Sequence, residues 1–150
     1  MKFQDIKPYV GLDFLKLYSN LEDVKSDLIL KQINFEELIY DNSDCDVKYN
    51  WHVLVVDDSV SLFFSEGNFK LFKICISNDC EAKLPNGIRL GMNMNDAQNI
   101  DSTIVYDEFE EIYLSVNGYW VEDNVETDEV LSITVFVKEI NDDNFLQCDW

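Results

Sequence analysis

His52 is the only histidine in the chain, and a lone imidazole is the first place to look for acid–base chemistry near neutral pH. It stands between Trp51 and Val53 in an apolar run with no serine or cysteine motif around it, so it reads as a structural side chain rather than a general base or a ligand. The stretch Asp41-Asn42-Ser43-Asp44-Cys45-Asp46 opens like a calcium loop. However, its third and fifth positions are Ser43 and Cys45, Asp46 replaces the bend glycine, and His52 stands at the twelfth position where glutamate is needed. Gly87-Ile88-Arg89-Leu90-Gly91 is no phosphate cradle, because no helix-opening Lys-Ser/Thr follows it and its surroundings are acidic. Carboxylate pairs of the glycosidase kind can be drawn anywhere among 30 Asp and Glu, so a pair by itself identifies nothing. The residues therefore assign no catalytic group, no cofactor and no metal, and the chain reads as a non-enzyme. Cys45, Cys75, Cys80 and Cys148 form no C-x-x-C pair and are expected as free thiols.

The remaining chemistry is charge. Eleven Lys and Arg against 30 Asp and Glu leave a formal net charge of −19. Such a field repels phosphate backbones and anionic bilayers, which excludes nucleic acid and membrane as direct partners and favours a basic protein. With 47% apolar and 13% aromatic residues the chain can bury a core, so disorder is excluded too. The acids gather around aromatics: Asp107-Glu108-Phe109-Glu110-Glu111 runs into Ile112-Tyr113, and Tyr119-Trp120-Val121-Glu122-Asp123 follows. Asp41, Asp44 and Asp46 precede Tyr49 and Trp51, and Asp57-Asp58 sits at a hairpin turn. The expected partner-binding set is Asp57, Asp58, Asp107, Glu108, Glu110, Glu111, Glu122 and Asp123 for charge, with Tyr113, Tyr119 and Trp120 as anchors.

The elements that must carry these residues fall into two similar series. Residues 10–40 read as largely helical, with Ser19 or Asn20 as a cap before Glu22 and Asp23, and Phe35 to Ile39 as a second helical stretch. Trp51 to Val56, Val60 to Phe64 and Lys70 to Ile76 read as an antiparallel meander with a turn at Ser65 to Asn68. A linker at 78–86 follows, and the order begins again. A short helix at Met94 to Ile100, capped by Asn93 or Asn95, leads to strands at Ile112 to Val116, Tyr119 to Val121 and Val130 to Val137. Leu15 to Val24 aligns without gaps to Ile88 to Ala97, and Lys70 to Ile76 corresponds to Glu129 to Val135. The expected fold is α+β: two tandem helix-plus-antiparallel-meander units, 1–80 and 81–150, forming one broad sheet with helices on one side, the alternative being two unrelated helix-plus-strand segments in one compact domain.

The segment Asn-Gly-Ile-Arg-Leu-Gly-Met-Asn-Met-Asn-Asp-Ala at 86–97, with Gly118-Tyr119-Trp120-Val121-Glu122-Asp123 and Leu131-Ser132-Ile133-Thr134-Val135, resembles small immunity proteins. These accompany bacterial polymorphic and contact-dependent growth-inhibition toxins. The Gly91-Met92-x-x-x-x-Ala97 pattern ahead of a meander is also similar to the helix-then-sheet units of the β-lactamase-inhibitor protein and of the small outer-membrane-assembly lipoprotein. The lipoprotein's lipidation cysteine and export signal have no counterpart here, and a cytoplasmic location is expected. The resemblance implies an inhibitor that binds a cognate toxin domain one-to-one and occludes its active site, the toxin being basic and often a nuclease. No site residues carry over from it. An acidic adaptor or assembly protein without a toxin partner is the alternative, and a small hydrolase or metal-binding protein the more remote one.

Overall fold

A computed structural model describes residues 2–41 and 50–150. The calcium-like stretch beyond Asp41 and the acids Asp44 and Asp46 ahead of Tyr49 lie outside the described residues.

The chain opens with three two-residue strands, β1 (Ile6–Lys7), β2 (Gly11–Leu12) and β3 (Leu15–Lys16), paired antiparallel in that order. Residues 10–17 are thus a tight hairpin and not part of a helix. Gly11 is required there: its φ is +145°, and a Cβ would lie 2.1 Å from the Leu15 carbonyl oxygen. The helix, α1, covers Leu21–Leu30 only. Asn20 caps it by accepting a hydrogen bond from the Glu22 N–H at 2.9 Å, Glu22 and Asp23 occupy the positive first turn, and Leu21, Val24 and Leu28 bury one face.

Phe35 to Ile39, expected as helix, is instead part of β4 (Phe35–Asp41), which pairs along its whole length with β5 (Asn50–Val56). Five residues are too few to separate a period of 3.6 from one of 2, and a seven-pair ladder outweighs any local helical preference. β6 (Val60–Ser65) and β7 (Leu71–Ile76) complete the first run. The second helix, α2 (Met94–Ile100), is capped by Asn93 in the same manner as α1, and leads to β8 (Val105–Asp107), β9 (Ile112–Ser115), β10 (Tyr119–Asn124) and β11 (Glu129–Phe136). Sequence patterning missed β8, which is only three residues long.

The two runs join into one eight-stranded antiparallel sheet of order β4-β5-β6-β7-β11-β10-β9-β8. The last strand of each run therefore meets the other at the centre, with Cys75 opposite Thr134. Each helix start is tied to the beginning of its run's last strand. Tyr18 N–H donates to Leu71 O, Leu71 N–H returns to Ser19 O, and Leu21 N–H donates to Phe69 O, at 2.8, 2.8 and 2.9 Å. On the other side Gly91 N–H donates to Val130 O, Val130 N–H to Met92 O, and Met94 N–H to Asp128 O, at 2.9, 2.7 and 2.9 Å.

Alternation gives the sheet two unlike faces. Leu54, Leu62, Ile74, Val135 and Tyr119 lie in register across one face and share a core with Leu21, Val24 and Leu28 of α1 and Met94 and Ala97 of α2. The opposite face carries Val53, Phe63, Lys73 and Phe136 in one row, and Val55, Ser61, Cys75, Thr134 and Trp120 in the next. Among the described residues no helix lies on it; two 3₁₀ turns, Lys138–Asn141 and Phe145–Gln147, close one end. Tyr18 Oη donates to Glu139 at 2.6 Å, Lys70 Nζ donates to Trp150 O at 2.9 Å, and the Phe145 and Trp150 rings stack at 5.1 Å.

Candidate docking groove

The helix-free face holds a groove of about 660 Å³, and the reason it is aromatic begins with a β-bulge. The register of β6 against β7 shifts between Phe63 and Phe64, so Leu71 pairs with Phe64 while Lys73 pairs with Phe63. Phe72 is the extra residue, and its ring lies 5.5 Å from Trp51 and 6.4 Å from Phe63, on the same side as Lys73. Two consecutive residues thus face one way. Phe145 packs edge-on to Phe72 at 5.4 Å from beyond the sheet, and Trp120 leans on Phe136 at 4.5 Å. Trp51, Trp120 and Phe145 form an apolar floor backed by the buried Phe72, and Ile112 and Leu114 extend it.

Carboxylates form the rim. Asp107 and Glu110 come from the β8–β9 turn, where Asp107 Oδ1 accepts hydrogen bonds from the N–H groups of Phe109 and Glu110 at 2.9 and 3.0 Å. Asp142 and Asp143 come from the link between the two 3₁₀ turns. In the middle of the floor stands a cation. Lys73 Nζ is 4.2 Å from the centre of the Phe63 ring, 5.0 Å from Trp51 and 6.0 Å from Trp120. Among the described residues it has no carboxylate within ion-pair distance. Burial pulls the Lys73 pKa below the ordinary lysine value, and the opposing influence of Cys75 and Glu122 does not restore it.

Of the residues expected from sequence, Asp107, Glu110 and Trp120 line this groove. Glu122 stands two residues beyond Trp120 in β10, on the same face, and accepts from Ser132 Oγ at 3.1 Å. Glu108 and Glu111 flank Glu110 in the exposed turn. The others lie apart. Asp57 and Asp58 form the β5–β6 turn with φ of 49° and 56° and border a separate cleft with Asn34 and Glu36. Tyr113 pairs with Val121 on the helix-covered side and meets Tyr106 at 5.0 Å. Burial, with the nearby charges of Asp123 and Asp128, pushes its hydroxyl pKa up.

Tyr119 cannot serve as an outward anchor. It is 1% exposed and its hydroxyl donates to Asp101, so it belongs to the core. Asp101, at the end of α2, also accepts from Ser115 Oγ at 2.6 Å, Asn117 Nδ2 at 3.0 Å, Thr103 Oγ1 at 2.6 Å and Thr103 N–H at 3.0 Å. Burial alone would raise its pKa, but these donors hold the carboxyl well below the usual range. The same burial, reinforced by the bond to Asp101, pushes the Tyr119 hydroxyl up to about 12.

His52 lies on the helix-covered face, 5.5 Å from the Phe69 ring and 3.7 Å from Glu37, whose partner is Lys25 at 2.7 Å. Patterning did not find Phe72, Lys73, Phe145, Asp142 or Asp143. Only the bulge brings the first two together, and the rest arrive on turns without periodicity. Cys75, Cys80 and Cys148 are free thiols. No helix among the described residues is long and apolar enough to cross a membrane. Compared with known proteins, the chain matches no family model, no curated protein and no solved structure.

Proposed function

We propose that this chain is an immunity-type inhibitor that binds a cognate basic toxin domain, of nuclease kind, through the groove on its helix-free face and thereby covers the toxin's active site. The observation that carries the reading is the groove's composition: a floor of Trp51, Trp120 and Phe145, backed by the buried Phe72, within a rim of Asp107, Glu110, Asp142 and Asp143. Aromatic anchors desolvated at the centre of an interface supply most of its affinity, while rim charges steer the encounter and select the partner. Glu122 extends the acidic border along β10. A net charge of −19 adds a long-range attraction for a basic domain. The inhibitor acts in the cytoplasm and performs no chemistry of its own.

The scaffold is best understood as two helix-plus-meander repeats, 1–80 and 81–150. The bonds that tie each helix to its last strand support this. Tyr18, Ser19 and Leu21 align with Gly91, Met92 and Met94, and Phe69 and Leu71 align with Asp128 and Val130; the same three bonds recur. Tyr18 and Gly91 share a positive φ of 71° and 81°, and Phe69 and Asp128 one of 54° and 58°. At the central seam Cys75 pairs with Thr134, its own aligned equivalent, as at a two-fold axis.

Co-expression with the candidate toxin domain of a neighbouring gene tests the function. Surviving cells and a co-purified one-to-one complex are expected, and loss of both on Asp107→Lys/Glu110→Lys replacement would locate the contact. A protein that neither protects nor co-purifies is not the inhibitor.

A further inference from the structure

Lys73 is an anomaly in a docking surface for a basic partner. An ammonium at the floor of an acid-rimmed groove adds like-charge repulsion to any lysine or arginine that reaches it. Its cost is visible in its surroundings. The side chain is largely withdrawn from water, its charged end lies over the faces of Phe63, Trp51 and Trp120, and the described residues supply no carboxylate within ion-pair distance. Ring faces offset part of the desolvation of a cation, but a carboxylate offsets far more. Glu122, on the same face, accepts a hydrogen bond from Ser132 and acts on Lys73 only at a distance. The rim acid Asp107 is already held by the N–H groups of Phe109 and Glu110 in its own turn.

We infer that the segment of the partner that enters this groove carries a carboxylate of its own, which pairs with Lys73, flanked by cationic side chains that meet Asp107, Glu110, Asp142 and Asp143. The inference rests on the docking reading above and adds the charge order of the bound segment: basic, acidic, basic. It follows from what the lining combines: acids from two separate turns, the β8–β9 turn and the link between the 3₁₀ turns, and a cation among ring faces on β7. It also turns a general attraction for basic proteins into a selective one. A uniformly basic surface meets the rim but is opposed at the floor, whereas a segment with one acid at its centre satisfies both.

Two nine-residue peptides test this, with identical Arg-rich flanks and either Glu or Gln at the centre. Binding is followed by titration at low salt, with the indole signals of Trp51 and Trp120 reporting the location. The Glu peptide should bind the wild-type protein about tenfold more tightly, despite its smaller positive charge. Lys73→Met should abolish or reverse that preference, and Lys73→Arg should retain it, each variant being checked for native melting first. Equal affinity of the two peptides at the groove, or tighter binding of the Gln peptide, would overturn the inference while leaving the docking reading in place. If neither peptide perturbs the groove at low salt, the docking reading fails and the inference with it.

Discussion

Asp101 and Lys73 are both charged side chains set in apolar surroundings, and the protein treats them in opposite ways. Asp101 is 5% exposed and collects hydrogen bonds from Ser115, Thr103, Asn117 and Tyr119, which tie the end of α2 to β9 and β10. Lys73 has ring faces and, among the described residues, no carboxylate within ion-pair distance. The first charge is fully answered from within and serves the fold. The second is left unanswered on the helix-free face. A largely buried ammonium that no described carboxylate pairs is held only at a cost to stability.

The sharpest way to break the contrast is Asp101→Ala, which strands five donor groups, the buried Tyr119 hydroxyl among them. It should lower unfolding free energy by about 3 kcal/mol, read from urea denaturation. Because the folded pKa of Asp101 lies below that of an unfolded aspartate, its contribution is complete above about pH 4 and is lost as pH falls through the folded value. The gap between wild type and Asp101→Ala should therefore narrow in acid.

Tyr119→Phe removes one donor and should cost about 1–2 kcal/mol. At the alkaline end the sign is reversed: Tyr18 and Tyr119 are pushed from 10.0 to about 12, so the stability they contribute is complete below pH 10 and declines as pH rises towards 12. Denaturation curves across that range should show the decline, reduced in Tyr119→Phe.

Lys73→Met should do the opposite of Asp101→Ala. It keeps the stem among the rings and removes the desolvated charge, and it should raise stability by about 1 kcal/mol. A clear loss instead would mean that Lys73 is a structural cation. The smallest expected effect is that of Glu110→Lys, on an exposed side chain, which should change stability by less than about 0.5 kcal/mol while slowing association with a basic partner.

Much of the scaffold was legible in the residues. Ser19 or Asn20, and Asn93 or Asn95, marked the helix starts, where Asn20 and Asn93 prove to be the caps, and apolar runs marked β5, β6, β7 and β11. β4 was misread because Phe35 to Ile39 is short and carries Glu36 and Glu37, a composition that suits a helix until a seven-pair ladder is offered beside it. In the groove, Trp120 and the 107–110 acids were visible as a cluster. Tyr119 was not separable from its neighbour by sequence: in a strand adjacent residues point to opposite faces, and only the register decides which one goes to the core. Phe72 and Lys73 were hidden by the bulge, which breaks the very alternation used to assign faces.

The seam at the centre of the sheet also sets the order in which the molecule can assemble. Every other neighbouring pair in the large sheet joins consecutive strands, whereas β7 and β11 bring Ile76 to Ile133 across the entire second run. Closing that loop spends chain entropy before it gains a contact, so the slow step in refolding should be the meeting of the two runs, with the hairpins within each already formed.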